Sequence, residues 1–261
     1  MGKGIISRRA KGIVLSLALP LAIIFLWEIA VDSGVFPRAL IASPYETAVG
    51  FFVLLFNGKL LLHSAISISR LAAGFVIGAL LGIILGTIVG VYKAGEAFFS
   101  PTMQALAPIP AIAWTPLLII FLGIDEASKI GLIAIGVFFV VYFAAVQGIR
   151  STDQKFIELS HSYAKKRRQL ISDVLLPSAL PSIFSGLRIA LALSWILLIA
   201  GEIIVASNGL GWLIWDARNF SRADDMLVGM IAIGIWGKLS DNYLEKAEKW
   251  FTKWRTSFKG E

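Results

Sequence analysis

Long uncharged runs alternate with short polar ones along this chain, and the runs have the length of membrane helices. A bilayer needs about 20 consecutive apolar residues in a helix. Segments near 12–31, 66–91, 101–122, 128–148, 182–206 and 226–244 meet that length or come close, so the pattern predicts six transmembrane helices in an all-α, polytopic membrane protein. The first run follows Lys3, Arg8, Arg9 and Lys11. It could be a signal peptide, but it is longer than the roughly 7–15 residues of a signal core and lacks a clear small-residue cleavage site. It is therefore expected to be a retained first span.

Local signals add detail. In the second span Gly74, Gly78, Gly82, Gly86 and Gly90 recur at every fourth residue. On a helix they line one winding stripe, along which another backbone can come close in lipid. This predicts tight packing or a sliding seam. The third span contains Pro101, Pro108, Pro110 and Pro116. Each removes a backbone donor and crowds the turn before it, so this helix is expected to be broken or kinked. Irregular backbone at membrane depth is tolerated where protein or a water-filled cavity covers it, which makes Pro108, Pro110 and the nearby Trp114 candidates for a solute route. Ser43-Pro44-Tyr45-Glu46 supplies a capping serine, a proline at the first helical position and a glutamate at the third. It predicts a short helix at the outer interface, serving as a lid or meeting a partner.

Basic residues orient the chain. Most Lys and Arg fall in the N-terminal segment, the stretch 150–181 and the C-terminal tail, whereas the short loop 123–127 carries Asp125 and Glu126. The side rich in Lys and Arg is cytoplasmic. Both termini and the 150–181 loop are therefore placed inside, and the formal net charge of +7 reads as a topology signal and not as a nucleic-acid surface. With no Cys and only His63 and His161, a thiolate site, a disulfide framework or a metal site is not expected. A P-loop is lacking: Gly237-Lys238 is followed by Leu239. A nucleophile–base constellation is lacking too, so no catalytic residue is assigned.

The loop 150–181 is larger than a chain reversal needs. Ser151 and Gln154 suggest a capping box with a helix starting at Thr152, and Phe156, Ser160 and Tyr163 share a side of it. After a break near Lys165, Leu170/Val174 and Ile171/Leu175 pair at i,i+4 in a second helix, expected to end at Pro177 and Pro181. The hairpin has an apolar edge and a basic rim. Such an edge suits either a groove in a partner or anionic membrane lipid. Arg70 and Lys129 stand near span ends, while Glu28 lies within the first span and Arg188 and Glu202 within the fifth. At such depth they face the bundle interior or a cavity.

Several stretches together resemble the permeases of bacterial ABC importers. They are Ser67–Phe75 (SISRLAAGF), Pro108–Leu117 (PIPAIAWTPL), Phe121–Ile124, Leu175–Pro181 followed by Gly186-Leu187-Arg188, and Asn208-Gly209-Leu210-Gly211. Glu158, Ala164 and Leu176-Pro177 match the coupling loop of those permeases, with Leu159, Ser160 and Ala164 departing from its usual two alanines and glycine. The resemblance covers nearly the whole chain and is closest to the group importing nitrate, taurine and aliphatic sulfonates. It implies a single permease domain over 1–261 with the type I importer fold, in the bacterial inner membrane. It implies a second permease copy, most simply as a homodimer, two ATPase subunits that hold the ATP and Mg, and an extracytoplasmic substrate-binding protein. Coupling to the ATPase would fall to Glu158, Ser160, Tyr163, Ala164, Leu176 and Pro177. Arg188, Glu202, Trp114, Pro108 and Pro110 would line the route of a small anion: nitrate, taurine or another alkanesulfonate, or bicarbonate. Alternatives are a permease for a thiamine-precursor heteroaromatic and an ATP-independent channel.

Overall fold

The computed structural model describes residues 18–37, 40–163 and 165–253. They are helical almost throughout: α1 (18–32), α2 (Pro44–Phe56), α3 (Lys59–Val91), α4 (Lys93–Leu106), a 3-10 turn (Ala111–Trp114), α5 (Thr115–Leu122), α6 (Glu126–Arg150), α7 (Gln154–Ser162), α8 (Arg167–Leu170), a π turn (Ile171–Leu175), α9 (Leu176–Val205), α10 (Leu210–Asn219) and α11 (Ala223–Phe251). By length and composition three of these could cross a membrane: α3, α6 and the continuous 39-residue helix Arg167–Val205. A fourth span forms if the pair Lys93–Leu106 and Ala111–Leu122, bent by 92°, counts as one. That bend is the break expected from the prolines. The first expected span is described only from residue 18, and α11 carries Asp224 and Asp225 at its start and Lys238 and Asp241 further along, which shortens its uncharged stretch.

The chain forms two compact units, residues 1–63 with 213–232, and residues 64–212 with 233–261. In the first, the sequence-predicted cap is present. Ser43 Oγ accepts from Glu46 N at 3.2 Å and Glu46 Oε2 accepts from Ser43 N at 2.9 Å, with Pro44 opening α2. The intramembrane candidate Glu28 accepts from Tyr45 N at 3.1 Å and so ties α1 to the start of α2. Gly50 lets α2 approach Asp224 and Val228 of α11, and Arg222 is forked between Asp216 and Asp225.

In the second unit α6 is the central helix. Leu132, Ile133, Val137, Val141, Tyr142 and Ala145 are all buried. The glycine stripe of α3 lies on one side of it. A Cβ added at Gly74 would fall 2.6 Å from Ile133 Cβ, at Gly86 2.7 Å from Tyr142 O, at Gly82 2.9 Å from Phe138 O, and at Gly90 3.0 Å from Ile149 Cβ; at Gly78 it would run into the carbonyl oxygen of Ala134. The stripe is thus a packing seam along about four and a half turns. On another side α6 meets α9: Gly136 faces Leu197, Gly186 faces Ala144, and Gly148 faces Ala179 and Ser182.

Two expectations are corrected here. Ser151 does not open a helix at Thr152. It closes α6, donating from Oγ to Gly148 O at 3.0 Å, and the new helix begins at Gln154 with Asp153 Oδ1 accepting from Lys155 N at 2.9 Å. The reason is that α6 runs two residues past its apolar stretch and uses the serine as its own stop. Nor do Pro177 and Pro181 end the second hairpin helix. The chain stays helical through both: a π turn over Ile171–Leu175, wider than an α turn and closed by Leu176 N to Ile171 O, precedes Pro177 in the first turn of α9, and Pro181 sits inside α9 at the cost of one backbone bond.

The seam makes opposite signs for one substitution. Gly78→Ala brings a methyl group against a backbone carbonyl that no rotamer change relieves, and is expected to destabilise by about 1–3 kcal/mol. Gly234→Ala meets nothing within 4 Å and should gain up to about 1 kcal/mol from helix propensity. Thermal unfolding of the purified protein in detergent checks both; equal shifts would exclude the seam.

Candidate functional site

The hairpin α7–α8 builds a groove. Phe156, Leu159 and Ser160 from α7 and Tyr163 just after it face Val174, and Lys165 closes one end, around a volume of about 310 Å³. Spacing i, i+4, i+7 puts Phe156, Ser160 and Tyr163 on one face, as the sequence suggested. Lys165 Nζ meets Asp173 at 2.9 Å and holds the two arms together. Arg167 stacks on the Tyr92 ring at 4.5 Å, and Arg150 pairs with Glu96 at 2.8 Å, so two cations of the loop clamp the junction of α3 and α4. Ser160 is buried and its Oγ has no hydrogen-bond partner, whereas Phe156, Leu159 and Tyr163 are exposed. Of the candidate coupling residues, Ser160 and Tyr163 line the groove. Glu158 is exposed outside its lining, Leu176 and Pro177 stand half-buried at the start of α9, and Ala164 lies outside the described residues. Chemically the groove is an exposed apolar slot with a cationic rim, suited to an inserted helix or loop.

Arg188 is a paired cation. Its Nε and Nη2 donate to Asp241 Oδ1 and Oδ2 at 3.0 and 3.2 Å, and Glu248 is 3.8 Å from Nη1. All these acids are on α11. Arg188, Leu191, Ala192 and Trp195 of α9 line a cleft of about 240 Å³ with Ile233, Gly237 and Asp241, and Trp195 Nε1 donates to Ser240 Oγ at 3.1 Å. At the bend of the fourth candidate span, Pro108 and Pro110 are exposed. Trp114 is half-buried in the 3-10 turn, with its Nε1 buried and unpartnered.

Glu202 lies at a buried polar node. It is fully buried, near the end of α9. Its Oε1 accepts from Ser67 Oγ at 2.7 Å and from Arg70 Nη1 at 2.8 Å, and its Oε2 accepts from Gly211 N at 2.8 Å. Ser67 Oγ in turn accepts from Leu210 N at 2.8 Å. The two groups therefore cap the N-terminus of α10, where free N–H groups favour an anion. Gly209, at φ +120°, lies so close that any side chain there would strike the Glu202 carboxylate. Arg70 also donates to Asn208 O at 2.6 Å and forks onto Glu126, Nε to Oε2 at 2.5 Å and Nη2 to Oε1 at 2.6 Å. Lys129 Nζ adds a contact to Glu126 at 3.2 Å. Sequence reasoning singled out Glu202 but left Arg70 near a span end, without its partners. The available signal was Ser67 and Arg70 at i,i+3 on one helix face, together with a glycine-rich turn just after Glu202.

Among the described residues there is no group of three or more His, Cys, Asp or Glu that could hold a metal ion. Removing one partner of the node should be severe. Glu202→Gln keeps the shape but strips the buried Arg70 of a charge partner, and a loss of about 3–5 kcal/mol is expected. Ser67→Ala should lose about 1–3 kcal/mol. Melting in detergent, with the exposed Glu158→Gln as the unaffected control, measures the difference.

Comparison with known proteins fits this arrangement. Residues 78–237 match the family described as binding-protein-dependent transport system inner membrane component. The SsuC protein of Bacillus subtilis (strain 168), described as an aliphatic sulfonates transport permease, is 39% identical over 253 residues, covering 97% of this chain and 92% of the relative. Its counterpart of the same description in Escherichia coli (strain K12) is 38% identical over 240 residues, 92% of this chain and 91% of that one. Among solved structures, a chain of the inward-facing MetNI methionine ABC transporter superposes with a TM-score of 0.58 at 19% identity, covering 77% of this chain and 98% of that chain, a likeness of fold. The coverage spans the seam, the hairpin and most of the buried node, and the chain belongs to the family of binding-protein-dependent transport inner membrane components, the permease subunits of ABC importers.

Proposed function

We propose that this permease subunit forms a route for a small organic or inorganic anion of the alkanesulfonate, taurine, nitrate or bicarbonate type. As a permease it is not an enzyme; ATP is hydrolysed on a partner subunit. The observation that carries the coupling role is the groove of Phe156, Leu159, Ser160 and Tyr163 on a hairpin clamped to the α3–α4 junction and continuous with α9. A force applied at the groove reaches α9 through an unbroken helix from Arg167 to Val205. Glu158, exposed beside it, meets the ATPase, and Leu176-Pro177 transmit the motion at the helix entry.

The remaining assembly follows from the same reading. Two copies pair as a homodimer, because one copy supplies half a pathway. Each contributes six spans in the type I importer arrangement, α1 and α11 completing the set. Both termini and the hairpin face the cytoplasm, where two ATPase subunits bind, and an extracytoplasmic binding protein delivers solute to the other face. The chain acts as one permease domain over 1–261. The route passes the bend at Pro108 and Pro110, Trp114, and the middle of α9 at Arg188, while Glu202 holds one end of that helix in place. The similarity to sulfonate permeases favours an anion over a heteroaromatic solute. The large hairpin favours an ATP-coupled transporter over a channel.

Two measurements test this. Glu158→Lys should leave membrane insertion and melting unchanged while cutting ATP-driven uptake in proteoliposomes by at least about tenfold, the effect of roughly 1.4 kcal/mol of lost coupling. Normal uptake would make the hairpin a lipid-facing element. Arg188→Gln should slow uptake with ATPase activity and assembly preserved; loss of assembly would assign Arg188 to its ion pair with Asp241 alone.

A further inference from the structure

The four charges around Arg70 are unequal in a way that points to exchange. Arg70 and Lys129 are 4% and 7% exposed at their side chains, Glu202 is 0% exposed, and Glu126 is 56% exposed. One edge of the guanidinium is fixed: Nη1 is committed to Glu202 and to the carbonyl of Asn208. The other edge, Nε and Nη2, is presented outward as a fork, and only the exposed Glu126 carboxylate fills it. A guanidinium fork receives two oxygens of one oxyanion, and a planar carboxylate and a tetrahedral sulfonate both offer such a pair. Glu126 is also the first residue of α6, after a turn whose Gly123 sits at φ +80°. The other carboxylate cannot leave, since it caps α10 from inside the protein.

We propose that this outward edge of Arg70, flanked by Lys129, is an oxyanion site that Glu126 occupies as an internal stand-in, and that a transported sulfonate-type monoanion displaces the Glu126 carboxylate from it. The inference rests on the reading of the chain as an anion permease. Charge decides the valence. With Glu126 in place, two buried cations balance two carboxylates. Once Glu126 withdraws, Arg70 and Lys129 face Glu202 alone and one positive charge is uncompensated. A singly charged anion restores neutrality, whereas a dianion overshoots and a neutral solute leaves a buried cation stranded, at a free-energy cost that grows with burial. The self-occupied fork therefore keeps the site neutral at rest and selects for a monoanion that offers two oxygens to the fork, as a sulfonate does.

Calorimetric titration of ethanesulfonate into the full-length chain in lipid nanodiscs, in chloride-free buffer and without ATP, tests the site directly. Glu126→Ala should bind about tenfold more tightly than the unsubstituted protein, because the internal competitor is gone. Glu126→Gln, which keeps the side-chain shape, should shift in the same direction and serves if the alanine variant does not fold. Sulfate should show no such gain, and adding Lys129→Gln to either variant should abolish it. Equal affinity in all variants, or a gain that persists without Lys129, overturns the proposal. The outcome is separable from the anion-permease reading: a binding gain without ATP-driven uptake of the anion retains the site and refutes anion import, and coupled anion uptake without the gain does the reverse.

Discussion

Close approach of two backbones holds the second unit together. In a bilayer the hydrophobic effect offers no reason for one apolar helix to prefer another over lipid, so association relies on dispersion contacts and hydrogen bonds. The five glycines of α3 remove the side chains that would keep α6 away, and α6 supplies Ala134, Val137, Tyr142 and Ala145 to the same seam. Because α6 is seamed to α3 on one side and to α9 on another, the hairpin at one end of α9 and the polar node at the other are held by the same packed trio. Loosening the seam would therefore move both.

Polar groups supply the specificity that uniform apolar packing lacks. Breaking a buried pair is far more costly than never having made it, so the Arg70–Glu202 node pins the register of α3, α6 and α9 and the start of α10 at a single point. The exposed Arg188–Asp241 pair has a different character. It is half-solvated, and its weight is positional, keeping the middle of α9 against α11. Two points along α9 are thus anchored by ion pairs of unequal strength. The tight anchor is at the node near the end of α9, and the weaker one is at mid-helix.

Much of this was legible in the sequence, and for stated reasons. The long helices α3, α6 and α9 followed from uncharged run length, the glycine seam from a four-residue period, the bend from clustered prolines, and the α2 cap from Ser43 and Glu46, because each is a local property of a few neighbouring residues. The groove face followed from the spacing of Phe156, Ser160 and Tyr163. The errors were local competitions between equivalent signals. Ser151 can cap either of two helices, and only the length of α6 decides. Pro177 stops a helix unless a π turn absorbs it.

The amino-acid order by itself determined where the long apolar helices run, which face of α3 is smooth, and which residues carry charge. It could not determine which charges meet. Ser67, Arg70, Glu126, Glu202 and Asn208 are spread over some 140 positions of the chain, and no periodicity links them. Whether Arg188 is bare or forked onto Asp241, and whether Glu202 is alone or caps α10, depends on the depth and rotation of separate helices. Those are set by side-chain packing across the seam. Electrostatic partnership over such distances is a property of tertiary structure, since the interaction falls with separation in space and takes no account of separation along the chain.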